Sequence, residues 1–458
     1  MSASPPRRYV LDRQVRRSAQ GQLLTGGTPG RMVRLSSAGS TALDRILAGS
    51  PPPGAEALNK RLRETGMLHP LASSAVTGSV SFVIPVRNGG ESLPRVIEEA
   101  RRWGEVLVVD DGSSDGSPQR AREAGARLLT NRGAPGPAGA RNTGLAAART
   151  AHVAFLDADC RCPTEWAGPL AALLDEDPEL AVAAPRVRSA RGASAIARYE
   201  ASGSPLDMGA DPGLVGPGRR IGFLPAAALL VRREALLELG GFDEALRFGE
   251  DVDLIWRAVG AGWSVRYCPE VEVIHRPRAS VTALARQRFA YGSSAARLDR
   301  RHPGAVAPLH LNAHTAGVWL AAARLGAAGA TIAIAISVVT AASRGNDRAA
   351  RLALASLTLR AHLDADRKLA RAVVRDWLPL TALAALLSPR ARRLALLAFV
   401  IDAAASASAA GVAAPHPAHL ALRGLDNLAY GAGLWKGAFE ARSARALLPR
   451  FRSRSRRR

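Results

Sequence analysis

Two aspartates follow the apolar run 153–156 at a spacing of two, as Asp157-Ala158-Asp159. Carboxylates at i and i+2 beyond a strand end can both face one loop-bound cation. Their hard oxygens suit Mg2+ or Mn2+, ions readily shared with substrate phosphates. A cation so placed balances the charge that grows on a departing diphosphate. A second acidic loop, Asp110-Asp111-Gly112-Ser113-Ser114-Asp115-Gly116, follows the apolar run 106–109. A third group, Gly249-Glu250-Asp251-Val252-Asp253, opens a helical pattern that continues through Trp256, Ala258 and Val259. Acids near a helix start complement its dipole, and that is a fair account of Asp253. Glu250 and Asp251 fall on the loop before it, where one carboxylate can accept a hydroxyl proton. Asp-x-Asp alone is common in solvated turns. Its place after buried strands, beside a second acidic loop, gives it weight.

These loops need elements to hold them. Residues 80–86, 106–109, 126–129 and 153–156 are short, uninterrupted apolar runs. Between them, residues 92–103 and 117–124 read as helices. Continuous apolar strands separated by helices predict a parallel sheet covered on both faces. Ligands of such sheets sit beyond the carboxyl ends of the strands, where these acids gather. Arg141, near a helix start in Gly139-Ala140-Arg141-Asn142-Thr143-Gly144, suits a diphosphate. A surface helix arginine is the alternative.

The flanks differ in texture. In residues 1–78, strands are expected at Val10-Leu11, Leu23-Leu24 and Met32 to Leu35, with turns at Gly26-Gly27 and Pro29-Gly30. Helices follow from Ser37 through Leu43 and Leu47, and over 55–65, where Gly66 ends the second. That order predicts a small winged-helix-like module. From about Val281 onward the pattern is nearly all helix. Residues 325–343 carry no charge, enough to span a bilayer, though they are rich in Ala and Gly. Residues 377–387 are too short, and 394–413 are interrupted by Asp402. Membrane association is expected here, by spanning or by interfacial helices; a buried bundle is the alternative.

The 458 residues carry a net charge of +23, which ordinarily points to nucleic acid or an anionic membrane. Lysine occurs only at Lys60, Lys368 and Lys436, so nearly all of the 62 basic residues are arginine. With abundant Ala and Gly, that resembles codon bias more than a phosphate grip. The charge is uneven, however: from Arg442 to Arg458 there are eight arginines and no acid. No aromatic-studded sheet motif or metal finger accompanies them, so no specific nucleic-acid partner is expected. Cys160, Cys162 and Cys268 are too few for a disulfide framework and suggest a reducing compartment. Cys160-Arg161-Cys162 lacks the second pair of a zinc site. Residues 1–9 hold no apolar core of a secretory signal.

Taken together, residues 80–277 resemble the catalytic domain of family 2 glycosyltransferases, inverting enzymes of the GT-A fold. The resemblance is carried by Val83-Ile84-Pro85-Val86-Arg87-Asn88, the Asp110 to Gly116 loop, Gly139 to Gly144, Asp157-Ala158-Asp159 and Gly249-Glu250-Asp251. It implies a nucleotide-sugar donor bound by Pro85, Asp110, Asp111, Asp115, Arg141 and Asp157, with Asp110 or Asp111 reading base and ribose. It implies Mg2+ or Mn2+ at Asp157 and Asp159. His275, in Val273-Ile274-His275-Arg276, either joins them, as in some relatives, or is structural. Asp251 is implied as general base, with Glu250 the second choice.

A wider resemblance covers nearly the whole chain. It is carried by Gln22-Leu23-Leu24-Thr25-Gly26-Gly27-Thr28-Pro29 and Arg34-Leu35-Ser36, joined to this catalytic domain and an apolar C-terminal part. The chain is similar in this to the mycofactocin-system glycosyltransferases. That implies glucose, from UDP-glucose, added to the peptide-derived redox cofactor mycofactocin or its precursor and built into an oligosaccharide. Residues 8–72 are also similar to modules that recognise precursor peptides; a structural cap is the alternative. The Gln-x-x-Arg-Trp motif of processive synthases is missing, Gln287-Arg288-Phe289-Ala290-Tyr291-Gly292 being a loose counterpart. Trp263 or Tyr291 would either stack on a sugar or pack. A polyprenyl lipid or cell-envelope glycan is the alternative acceptor.

The expectation is therefore an α/β protein in three parts. Residues 1–78 form the winged-helix-like module, with peptide recognition as its role. Residues 79–290 form a GT-A nucleotide-diphospho-sugar transferase domain with a Rossmann-like, mostly parallel sheet. Residues 291–458 form an α-helical region, with membrane contact through 315–420 and the basic tail. A cytosolic donor would place it at the cytoplasmic face of the plasma membrane, with the tail following the positive-inside bias.

Overall fold

The computed structural model describes residues 8–18, 21–27, 30–72, 79–162, 165–409 and 416–451. Pro29 of the expected turn and Arg452 to Arg458 of the basic tail lie outside the described residues. The chain begins with β1 (Tyr9–Leu11), β2 (Arg16–Ser18), β3 (Leu23–Gly26) and β4 (Arg31–Arg34). Helices α1 (Ser37–Leu47) and α2 (Glu56–Glu64) follow, then β5 (Leu68–Pro70). β2, β3 and β4 form an antiparallel sheet, while β1 pairs antiparallel with β5. Asp12 and His69 close that second pairing, with His69 Nε2 3.0 Å from Asp12 Oδ2.

The central sheet begins with β6 (Val80–Val86), helix α3 (Leu93–Arg101), β7 (Gly104–Asp110), α4 (Ser117–Glu123) and β8 (Arg127–Thr130). It continues with α5 (Pro137–Ala147), β9 (His152–Leu156), β10 (Cys160–Arg161), α6 (Ala167–Glu176), β11 (Leu180–Ser189) and α7 (Ala195–Gly203). The last members are β12 (Gly213–Leu214), β13 (Ala228–Arg232), α8 (Arg233–Glu238), α9 (Glu250–Gly260) and β14 (Ser264–His275). The strand order is β10-β14-β11-β13-β9-β6-β7-β8, with β12 beside β14. β8, β7, β6 and β9 are mutually parallel, as the alternating pattern predicts. β13 enters antiparallel between β9 and β11, and β10 and β12 pair antiparallel with β14.

Every residue of β9 is buried, because helices cover both faces of the sheet. α3 turns Leu93, Val96, Ile97 and Ala100 into the core. Each of its larger side chains contributes about 1.5–3 kcal/mol by leaving water. α5 crosses β6 so closely that a Cβ on Gly144 would stand 2.2 Å from a Val83 methyl. Only glycine fits there.

Beyond β14 the chain is helical, with α10 (Val281–Arg301), β15 (His310–Leu311), α11 (Ala313–Ala342) and α12 (Arg348–Arg371). Then come α13 (Leu378–Leu387), α14 (Pro389–Ala409), α15 (Pro417–Glu440) and β16 (Arg450–Phe451). α10 and α15 meet through small residues: a Cβ on Gly433 would lie 2.0 Å from the Phe289 carbonyl oxygen. Arg288 Nε donates to Asp426 Oδ2 at 2.9 Å across the same contact. Asp402 receives both Arg423 and Asn427, which fastens α14 to α15.

Two units emerge: Thr41–Ala279 with the chain up to Arg13, and Gln14–Ser40 with Ser280 onward. β2 to β4 thus group with the helical region, where Leu23 packs on Ala350 and Ala353. The three-part division at 78 and 290 stands beside this one as a proposal. No helix among the described residues is long and apolar enough to cross a membrane. All but the last residue of the charge-free stretch 325–343 fall within α11, whose backbone leaves helical geometry at Gly326 (φ 65, ψ −153). Alanine and glycine also bring little transfer free energy to the rest of that helix.

Candidate active site

Three loops at the carboxyl end of the parallel strands bring the acidic motifs together. β6 runs out at Val86, where Asn88 adopts a left-handed φ of 58°. Asn88 N–H donates to Ser113 Oγ at 2.9 Å, and Ser114 N–H donates to Asn88 Oδ1 at 2.8 Å. Asp115 accepts from Gly90 N–H at 2.9 Å and from Ser117 N–H at 3.0 Å. The Ser117 hydroxyl and these amides hold its carboxyl down at about 2, so it stays ionised while clasping the two loops. Asp110 accepts from Gly112 N–H and Ser113 N–H at 3.2 Å each. Asp111 accepts from the Asn131 amide at 2.6 Å. Pro85 is half-buried one residue before the end of β6, opposite Val109 of β7.

Asp157 leaves β9, its N–H donating to the Ala227 carbonyl at 3.0 Å. Arg141 reaches it from α5. The alternative of a surface arginine fails, since Arg141 is only 4% exposed. Its Nη2 donates to Asp157 Oδ1 and its Nη1 to Glu250 Oε1, both at 2.8 Å. Its Cζ lies 5.5 Å from the Phe242 ring centroid. Its Nε is buried with no hydrogen-bond partner among the described residues. Burial works to lower Arg141, but Asp157 and Glu250 outweigh it and raise its pKa. Gly249, at φ 80°, turns the chain so that Glu250 and Asp251 open α9. Asp251 Oδ2 accepts from Ala226 N–H at 3.2 Å and Oδ1 from Val252 N–H at 2.8 Å. Asp253 accepts from Arg257 Nε one turn on at 2.7 Å, away from this group's chemistry.

Asp159 belongs to a second constellation. β10 pairs with the end of β14, with Cys160 opposite His275. That register places His275 Nε2 3.2 Å from Asp159 Oδ1, with Arg278 Nη2 3.5 Å from Oδ2. Burial pushes the Asp159 carboxyl up, but the hydrogen bond from His275 and the neighbouring Arg278 outweigh it and hold the group low. His275 Nε2 also lies 3.2 Å from Arg278 Nη2. In one tautomer it donates to Asp159; in the other it accepts from Arg278.

These donors suit a hard divalent cation. Asp157 and Asp159 keep 31% and 35% of their side chains exposed. Two carboxylates completed by substrate phosphates are a common Mg2+ arrangement. No group of three His, Cys, Asp or Glu among the described residues is placed to hold a metal by itself. The fit therefore rests on sharing. The three cysteines are free and buried, and burial lifts the Cys162 thiol to about 12.

Comparison with known proteins agrees with the motifs. Residues 81–240 match the description Glycosyl transferase family 2. Over 97% of its length the chain is 37% identical to the pre-mycofactocin glycosyltransferase of Mycobacterium tuberculosis, of which it covers 97%. The chain belongs to the pre-mycofactocin glycosyltransferases, within family 2. Glycosyltransferase AglE of Haloferax volcanii is 27% identical, with 45% of this chain and 70% of that protein covered. A solved mannosyltransferase from Pyrobaculum calidifontis, in complex with GDP-Man and Mn2+, is 18% identical. Its TM-score is 0.39, with 75% of this chain and 88% of its own covered. That likeness is too distant to carry donor or metal across.

Several residues of this glycosyltransferase were not legible as site residues. Asn142, next to Arg141, accepts from Phe242 N–H at 2.8 Å and donates to the Phe242 carbonyl and Glu244 at 2.9 and 2.8 Å. Glu244 in turn accepts from Ala134 N–H at 2.6 Å. Asn142 therefore ties α5, the helix that carries Arg141, to the segment preceding Glu250. Arg278 was also missed; the signal was Arg276-Pro277-Arg278 directly after His275. Trp263 lies past the far end of α9, which ends at Gly260, roughly 14 Å along the axis from Asp251. There it lines a cavity of about 870 Å3 with Tyr9, Asn59, Lys60 and Arg219. Gln287 donates to the Tyr291 hydroxyl at 3.0 Å within α10.

Proposed function

We propose that this glycosyltransferase moves glucose from UDP-glucose onto pre-mycofactocin or its peptide-derived precursor, with inversion, and repeats the transfer to build an oligosaccharide. The observation that carries the reading is the Arg141 bridge. It joins Asp157 of the Asp-x-Asp loop to Glu250, the neighbour of Asp251. Burial raises the carboxyls of Glu250 and Asp251, Glu250 to about 7, and so makes each a stronger base than an exposed acid.

In this reading Asp251 takes the proton of the acceptor hydroxyl. The oxygen attacks the anomeric carbon as the nucleoside diphosphate leaves from the opposite face. Glu250 is the second candidate for the base. Asp110 and Asp111 read base and ribose beside Pro85, Asp115 fixes their loop, and Arg141 screens the arriving diphosphate from Glu250. Asp157 and Asp159, with His275, would hold Mg2+ or Mn2+, which would supply neutralising charge to the diphosphate. Arg278, beside Asp159, adds a cation to the same end.

The full-length likeness to pre-mycofactocin glycosyltransferases supports this choice of acceptor. Residues 1–78 are proposed to recognise its peptide-derived part, and residues 79–290 to perform the transfer. The region 291–458 is proposed to meet the membrane at its cytoplasmic face. A second reading, transfer to a polyprenyl lipid or cell-envelope glycan, draws on the exposed leucines of α13 and α14. The deciding experiment supplies pre-mycofactocin and a lipid extract separately, with UDP-glucose and Mn2+ or Mg2+. Glucosylated pre-mycofactocin supports the first reading. Product in the lipid extract alone would replace it, and no turnover with any nucleotide sugar would remove both.

A further inference from the structure

Helix α13 buries none of its residues, although it reads Leu-Pro-Leu-Thr-Ala-Leu-Ala-Ala-Leu-Leu. Leu380 and Leu383 are exposed, and Leu386 and Leu387, at its end, are 80% and 79% exposed. α14 departs one residue later and continues the apolar surface with Leu394, Leu397 and Val400. Its opposite face is fixed to the protein through buried Ala398, Asp402 and Ala403. Leucines standing in water on two successive helices are a surface made for something apolar.

The charges beside them say what. Arg390, Arg392 and Arg393 follow the leucine tip directly, and residues 377–401 contain no acid. All three arginines are exposed, and none makes an ion pair among the described residues. Leucines projecting past a collar of unneutralised arginine match the boundary between anionic headgroups and acyl chains. A second copy of the chain would bring the same three arginines against each other in a two-fold contact. The chain's own arginine-rich end, Arg452 to Arg458, has the same sign and gives no complement.

The neighbouring surface agrees. α13 forms one wall of a cavity of about 550 Å3, with Leu380 and Ala384 facing Trp377, Trp435, Leu447 and Leu448. Both indole N–H groups are already satisfied, Trp377 by the Leu447 carbonyl and Trp435 by the Asp376 carbonyl. What the rings offer the cavity is therefore apolar, as for tryptophans at a lipid interface. α13 has 10 residues, too few to cross a bilayer, so the contact lies in the interface plane.

We infer that the α13–α14 turn is a docking surface for an anionic lipid bilayer, with Leu386 and Leu387 entering the acyl boundary and Arg390, Arg392 and Arg393 holding headgroups. The inference deepens the membrane contact proposed above, and depends on neither the donor nor the acceptor.

Full-length protein is floated with phosphatidylcholine vesicles, with and without phosphatidylglycerol. Binding to the anionic vesicles is expected, weakening about fivefold for each of R390Q, R392Q and R393Q, and further in high salt. Leu386→Glu with Leu387→Glu is expected to abolish flotation with an unchanged thermal midpoint, which separates lost docking from lost folding. Asp251→Asn should float like the unaltered protein, whatever its effect on transfer, so failure of the transferase reading is seen separately. Unaltered protein that ignores anionic vesicles overturns the inference. So does a dimer that the leucine variant converts to monomer without any vesicle binding.

Discussion

Arg141 and Glu250, 109 residues apart in sequence, meet in a buried ion pair with Nη1 2.8 Å from Oε1. The same guanidinium holds Asp157, so one side chain spans the Asp-x-Asp loop and the start of α9. Removing it strands two carboxylates. Arg141→Met is expected to lose about 3–5 kcal/mol of stability, the usual consequence of breaking one side of a buried pair. Arg141→Lys should recover part of the stability but little activity, because an ammonium cannot bridge both acids in the same fork geometry. Thermal unfolding and single-turnover kinetics on the two variants separate these effects.

Asp251→Asn is expected to reduce transfer about a hundredfold to ten-thousandfold while donor binding stays within a few-fold. Glu250→Gln, by contrast, removes Arg141's partner and should disturb folding as well as turnover. Normal turnover in Asp251→Asn with a dead Glu250→Gln would move the base to Glu250.

The pair also sets a pH dependence. Burial, then the charge of Asp251, raises Glu250 to about 7, against the opposing pull of Arg141. A base must be ionised to accept a proton, so a fall in turnover as pH drops through about 7 is the signature of Glu250 as base, whereas with Asp251 as base the fall follows that carboxyl, which burial also raises. For stability the sign is opposite. The folded state binds the Glu250 proton more tightly than the unfolded chain, so this stabilisation is complete below the ordinary carboxyl pKa. It is lost as pH rises through about 7, at most about 3 kcal/mol in all. Unfolding free energy measured in urea across that range should show the slope in the unaltered protein and not in Glu250→Gln.

Donor hydrolysis should vanish on chelation and return with Mn2+ or Mg2+. Asp157→Ala and Asp159→Ala should each remove that response, the loss amounting to orders of magnitude. His275→Ala is the informative case. A weakened metal response assigns the ring to the cation, whereas unchanged metal affinity leaves it as the partner that orients Asp159.

Asn142 offers a test of positioning at a distance from the chemistry. Asn142→Ala removes three hydrogen bonds to the Phe242–Glu244 segment and should cost about 2–3 kcal/mol. Turnover should fall more than donor affinity, because the helix that carries Arg141 loses its tie to the segment preceding Glu250. Equal loss in both would mean that Asn142 serves folding alone.

Much of the catalytic unit was written locally. Residues 80–86 form a strand because an unbroken apolar run can be buried on both faces, and β6 has those limits. The acids of the Asp110 loop, Asp157 and Glu250 all follow strand ends or open a helix, so their gathering at one edge follows from alternation alone. β13 was not legible: residues 228–232 look like any short apolar strand, and nothing local sets their antiparallel direction between β9 and β11. The same limit hid the link between Asp159 and His275, which depends on a two-residue pairing of β10 with β14.

The sequence by itself determined the chemistry available: carboxylates at spacings and loop positions suited to a cation and a proton, on a scaffold whose apolar rhythm demands covered parallel strands. The tertiary structure decided the partnerships. Whether Arg141 would be a surface cation or a buried bridge, which carboxyl would titrate near neutrality, and which leucines would stay in water all depend on packing between segments apart in the chain, as Arg141 meets Glu250 across 109 residues. Hydrophobic period and turn chemistry act over a few residues and can be read along the chain. Burial and charge proximity exist only once distant segments have packed, and those two set the pKa of Glu250 and the exposure of Leu386.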